Sequence, residues 1–229
     1  MDYVYITRGG DNEELRYSLR SIAKNAPEGR VWLVGGKPDW FAGGHIPVRD
    51  TGGKFKNIAA CLLAAVSSEE ISEDFVLMND DFFILENIAN FLPLYGGTLA
   101  SKIAAYTDLL GPTAYSGLLG RAMKHMQSKG VSDPLDYDIH VPLPINKTKF
   151  LEVVPRDTLA PRSVYGNLAN IGGSEIVDVK TYNNARYRSK SYTYDKDNSP
   201  FISTNDDSFA ILYDNVLKEM FPEPSQYES

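Results

Sequence analysis

The chain has 229 residues, 43% hydrophobic and 23% charged, which suits one soluble domain with a real core. Its formal net charge of −7 disfavours general affinity for nucleic acid, because neutralising phosphates takes clustered Lys and Arg. No apolar run approaches the roughly 18–20 residues that span a bilayer, and Met1-Asp2-Tyr3-Val4 lacks a basic-then-apolar leader, so the cytoplasm is the expected location.

In chain order, Tyr3–Thr7 is β-branched and aromatic and predicts a strand that ends at Gly9-Gly10. Asp11 is placed to cap a helix, and Glu14 three residues later completes a capping-box pattern. Leu15, Leu19 and Ile22 then recur at helical spacing until Pro27. Val31–Val34 predicts a short buried strand, Ile46–Arg49 a weaker one, and Asn57–Val66 a helix. The lone Cys61 lies in this apolar run and is expected to be a packed thiol. Phe75–Met78, continuously apolar and bounded by charge, predicts a core strand. The alternation predicts an α/β fold, a parallel or mixed sheet covered by helices.

Residues from about 90 to 135 carry Gly96-Gly97, Gly111-Pro112 and Gly117, then a helical pattern over Leu118–Ser128. This stretch is expected to form an insertion or cap within a single domain spanning 1–229. Val179–Ser199 is polar, basic and tyrosine-rich, and predicts a long loop or irregular hairpin. Phe209–Met220 is helical in pattern and is ended by Pro222 and Pro224.

Chemistry-bearing residues gather at predicted element ends. In an open α/β sheet, ligands bind beyond the carboxyl ends of the strands, where Phe75–Asn79 would deliver Asp80 and Asp81. A second pair, Asp206 and Asp207, follows Asn205, and its plain role is to cap the helix after it. Paired carboxylates on rigid ends suit Mg²⁺ or Mn²⁺, since hard cations prefer oxygen ligands. Asn12, Arg16 and Arg20 share one side of the first helix, where the arginines can fork onto phosphate or pair with Glu13 and other acids. Gly9-Gly10 before a helix start offers N–H groups to an anion. Lys54 and Lys56 after Gly52-Gly53 suit a diphosphate or an exposed loop equally. His140, in Asp138-Ile139-His140-Val141-Pro142, is stiffened by proline, with Asp138 available to set its tautomer. Zinc spacing, a Walker sequence and a Gly-x-Ser-x-Gly elbow are all missing from the sequence.

The run Asp11-Asn12-Glu13-Glu14-Leu15-Arg16-Tyr17-Ser18-Leu19-Arg20, the later Asn79-Asp80-Asp81, His140 in its proline-flanked segment, Arg162, Asn205-Asp206-Asp207 and the Phe221-Pro222-Glu223-Pro224-Ser225-Gln226-Tyr227-Glu228 ending resemble, in order, the separated regions of the Stealth family. That family includes capsular polysaccharide phosphotransferases and the lysosomal N-acetylglucosamine phosphotransferase. The resemblance covers about half the chain and implies a GT-A-like (Rossmann-like) core, a nucleotide-sugar donor such as a UDP-sugar, a divalent Mg²⁺ or Mn²⁺, and transfer of sugar-1-phosphate to a hydroxyl. It assigns Asp81 and Asp207, with Asp80 and Asp206, to metal and diphosphate, His140 to acid/base work or phosphate contact, and Arg16 and Arg162 to donor phosphate. The family's first region is reduced here to Val4–Gly10, fused directly to the second. Alternatives are a GT-A-type glycosyltransferase that moves the sugar itself, onto a glycan, a small molecule or a modified nucleic-acid base, and a non-catalytic sugar-nucleotide-binding module.

Overall fold

A computed structural model of the chain describes residues 1–50, 53–156, 160–181 and 197–229. The predicted tyrosine-rich loop falls largely outside them, apart from its first and last few residues. At the centre is a five-stranded sheet, order β3-β2-β1-β4-β7, built from Asp2–Thr7 (β1), Arg30–Gly35 (β2), Gly44–Pro47 (β3), Asp74–Met78 (β4) and Leu143–Asn146 (β7). The first four strands are parallel and β7 runs antiparallel beside β4. The fold is therefore α/β with a mixed, Rossmann-like sheet flanked by helices. Because the chain leaves β1 toward β2 and β3 and then returns to β4 on its other side, the strand order reverses between β1 and β4. A crevice opens at such a switch point, beyond the carboxyl ends of the strands.

Period-two alternation in β1 divides the core. Tyr3 and Tyr5 face helix Glu13–Asn25 (α1), which buries Leu15, Leu19 and Ile22 against them and against Leu33 and Val76. Val4 faces helix Lys54–Ser67 (α2), which buries Cys61, Leu62, Ala65 and Val66 among Val34, Phe75 and Leu77. Cys61 is thus a packed thiol, and burial raises its pKa. Between β4 and β7 the chain forms Phe82–Ile84 (β5), Leu94–Tyr95 (β6) and two helices, Leu99–Leu110 (α3) and Ala114–Ser128 (α4). The helical pair buries Leu99, Leu118, Leu119 and Met126, together with Val164 of helix Pro161–Leu168 (α6), which follows the short helix Lys147–Val153 (α5).

One face of α1 is polar and still buried. Ser18 Oγ donates to the Phe82 carbonyl (2.5 Å), Ser21 Oγ accepts the Ile84 N–H (3.1 Å), and Asn25 Nδ2 donates to the Ile84 carbonyl (2.7 Å). The three side chains act as a strand partner for β5, whose other edge pairs with Phe201–Ser203 (β9). Past β8 (Ser174–Glu175) and β9 the chain ends in Asp206–Leu212 (α7), a π-helical turn over Tyr213–Leu217, and Lys218–Met220 (α8).

The first helix and the last residues are clamped together. Arg20 Nε and Nη2 bond the two Glu228 carboxylate oxygens (2.9 and 2.7 Å), and Arg16 Nη1 reaches the same carboxylate at 3.3 Å. Arg16 also lies over the Trp40 ring at 4.0 Å. Glu228 is 4% exposed and accepts from both the N–H and the hydroxyl of Ser225. Of the two roles the sequence left to these arginines, a grip on phosphate or pairing with acids, the structure shows the second, with Arg16 also on Glu13 at 3.3 Å. Glu228→Ala would strand two partly buried guanidiniums. A loss of about 2–3 kcal/mol of stability is expected, measured as a shift in urea midpoint at constant slope.

Candidate active site

At the carboxyl edge of the sheet, β1 runs into Arg8-Gly9-Gly10 and β4 into Asn79-Asp80-Asp81. The turn after β2 presses on the first of these. A Cβ on Gly36 would lie 2.0 Å from the Gly9 nitrogen, so only glycine lets the two turns meet.

Asn12, not Asp11, caps α1. Its Oδ1 accepts the Leu15 N–H (3.0 Å) while its Nδ2 donates to Asp80 Oδ2 (2.7 Å), so one amide joins the helix start to the acidic pair. Asp11 instead accepts from the Trp40 indole at 3.1 Å. Glu14 does not fold back on the cap, but approaches the Thr204 hydroxyl at 3.2 Å. Burial, with Asp81, Asp80 and Asp206 nearby, pushes the Glu14 carboxyl up to about 7. Burial and Asp81 raise Asp80 as well, against the pull of Asn12.

Asp81 meets an ammonium. Lys180 Nζ binds Asp81 Oδ2 and the Thr204 carbonyl, with 10% and 15% of the Lys180 and Asp81 side chains exposed. The other oxygen, Asp81 Oδ1, is buried and has no hydrogen-bond partner among the described residues.

His140 also meets a carboxylate, and it is not the expected Asp138. Asp178 lies 2.9 Å from His140 Nδ1 and accepts the His140 N–H at 3.2 Å. Burial alone would raise the Asp178 carboxyl, but His140 and Lys102 hold it well below the usual carboxylate range. Asp138 is occupied elsewhere, accepting from Ser163 Oγ at 2.5 Å. Arg162 is half-buried against this loop, where it donates to the carbonyls of Tyr137 (3.0 Å) and Val141 (2.5 Å). It thus holds the backbone on both sides of His140. Lys102 of α3 braces the same loop through Asp136 Oδ2 (2.8 Å) and the Asp138 carbonyl (2.7 Å).

The two halves are joined by one segment. Val179–Thr181 runs beside β9, with the Ser203 N–H on the Val179 carbonyl and the Thr181 N–H on the Ser203 carbonyl. Asp178 and Lys180 flank Val179, and the Lys180 N–H donates to Asp178 Oδ1 at 3.2 Å. Asn12, Asp80 and Asp81 are therefore linked to His140 through this one segment, and Arg162 holds the His140 loop. Lys54 and Lys56 are exposed in the first turn of α2. Asp206 and Asp207 are exposed in the first turn of α7, whose cap is Asn205, though Asp206 is close enough to raise Glu14.

The chain matches no protein-family model and no characterised protein. The resemblance to the Stealth family therefore rests on the motifs quoted above.

Among the described residues no three His, Cys, Asp or Glu side chains are grouped to hold a metal ion as they stand. The expected four-aspartate set is not assembled, because Asn12 takes Asp80, Lys180 takes Asp81, and Asp206 and Asp207 face solvent. In kind, however, the inner carboxylates fit a hard cation. They are all oxygen donors, their charge is in excess, and Asp81 Oδ1 is an orphan.

The raised Glu14 carboxyl has a signed consequence. Between the ordinary glutamate value and about 7, the folded state holds a proton that the unfolded chain releases, so stability falls as pH rises through that window. Glu14→Gln should raise the melting temperature relative to wild type at pH 8, by the equivalent of about 1 kcal/mol after solvent screening. Near pH 4.5 the gain should vanish, as thermal melts at the two pH values would show.

Proposed function

We propose that this chain is a nucleotide-sugar-dependent transferase that moves sugar-1-phosphate to an acceptor hydroxyl. The observation that carries the reading is the single segment that sets Asp178 on His140 and Lys180 on Asp81, beside the switch point of a Rossmann-like sheet. The Stealth-like motifs supply the donor class, because Asn12, Asp80, Asp81 and His140 are the motif residues that converge.

With Nδ1–H donated to Asp178, His140 keeps Nε2 as a proton acceptor. The acceptor hydroxyl gives its proton to Nε2 as its oxygen bonds the sugar-bearing phosphorus. The bridging P–O bond breaks, and the nucleoside monophosphate leaves with that electron pair. Arg162 is a positioning residue here, since it grips the carbonyls of Tyr137 and Val141 on either side of His140. When bound, Mg²⁺ or Mn²⁺ would neutralise the donor diphosphate from Asp80, Asp81 and Glu14, with Asp206 alongside.

A second reading is transfer of the sugar itself, favoured by the reduction of the first motif region to Val4–Gly10. The released nucleotide separates the two. With a panel of UDP-, GDP- and CMP-sugars, Mn²⁺ and candidate glycan acceptors, uridine monophosphate from a UDP-sugar supports the first reading and uridine diphosphate the second. Release of neither nucleotide, with no donor binding by calorimetry, would overturn both. His140→Asn is expected to lower kcat by about 10²–10⁴-fold with KM nearly unchanged. Asp178→Asn should lower kcat less and shift the acidic limb of the pH–rate profile, which a merely structural role would not move.

A further inference from the structure

Lys180 has no role in the chemistry described so far, yet among the described residues its ammonium is the cation in direct contact with the acidic half of the site. Three carboxylates crowd there, Glu14 from α1 and Asp80 and Asp81 from the turn after β4, with Asp206 of α7 at the margin. Facing them are Lys180, the neutral amide of Asn12 and, at longer range, Arg8. Among the described residues one close ammonium does not balance this set, and a diphosphate brought beside it would be repelled unless further positive charge came with it. Lys180 also stands on the carboxylate whose second oxygen is buried without a partner among the described residues.

We propose that Lys180 is a displaceable counter-cation of Asp81: a divalent cation reaches Asp81 only by driving the ammonium off, and the donor diphosphate receives the displaced ammonium. The charge brought in then cancels, because the two positive charges of the cation arrive with the roughly two negative charges of the donor diphosphate, while Lys180 exchanges a carboxylate for a phosphate oxygen. Cation and nucleotide therefore bind cooperatively, each removing the obstacle to the other. The inference rests on the nucleotide-sugar reading for its ligand, but its cation half stands apart from it.

The test is calorimetric titration of the wild-type protein and Lys180→Met with Mn²⁺ alone, then with Mn²⁺ in the presence of UDP. Mn²⁺ alone should bind the variant at least about tenfold more tightly than wild type. UDP should tighten Mn²⁺ binding in wild type and do so much less in the variant. Equal or weaker Mn²⁺ binding by a folded variant, checked by circular dichroism, would overturn the proposal. If UDP binds neither protein while the Mn²⁺ difference holds, the nucleotide reading fails and the displacement of Lys180 stands. Should the variant not fold, acylation of lysines followed by peptide mapping addresses wild type directly. Mn²⁺ should raise modification of Lys180 specifically, and unchanged modification at saturating Mn²⁺ would refute displacement.

Discussion

The candidate site depends on how α1 meets β5. A helix normally turns apolar residues inward, and α1 does so with Leu15, Leu19 and Ile22. On the adjoining face Ser18, Ser21 and Asn25 are buried and satisfy the backbone of Phe82 and Ile84. Buried peptide groups without partners are costly, so this edge of β5 admits few alternatives to those side chains. The match fixes the helix along its axis, and with it the cap residue Asn12 at one end and the acidic pair just before β5. The hydrogen bond from the Asn12 side-chain amide to Asp80 is thus the far end of a longer polar seam.

Around that seam electrostatics works against the fold. Burial, with Asp81 close by, raises the proton affinity of both Glu14 and Asp80, a pattern that clusters at functional sites. The clamp of Arg16 and Arg20 on Glu228 is the opposite case, where two cations and a carboxylate satisfy one another. Both features use residues from the resemblance motifs. The Arg16–Glu228 contact further shows that the first and last of those motifs touch.

Much of this was legible in the sequence. Continuous apolar runs announced β1, β2 and β4, and helical spacing announced α1, α2 and α4, because local periodicity and burial agree there. Helix α3 escaped since its Gly-flanked, mildly apolar sequence carries little amphipathic contrast, and the small strands β5 to β9 depend on partners distant in sequence. The cap moved from Asp11 to Asn12 because the Trp40 indole claims Asp11, a contact that no local rule contains. Asp80 and Asp81 stood out in the sequence by their position at a strand end, and His140 by its proline-stiffened segment. Asp178 and Lys180 were passed over, lying at the entrance to a stretch read as loop. Their one available signal was the alternation Asp178-Val179-Lys180 beside a β-branched residue. Lys54 and Lys56 show the converse, since a glycine-lysine pattern that suits an anion is here an exposed helix start.

That alternation makes the centre a single mechanical part. Asp178 and Lys180 are two residues apart and joined by the Lys180 N–H on Asp178 Oδ1, so the carboxylate on the imidazole and the ammonium on Asp81 ride on the same short stretch of chain. A displacement of this segment along β9 would move both contacts together, since the two backbone bonds to Ser203 hold it in place. On the proposed reading, proton acceptance and charge balance are therefore not tuned separately by moving the segment. They vary independently only through substitution of Asp178 or Lys180 itself, which makes those two positions the natural points at which specificity and cation demand would diverge among proteins built on this plan.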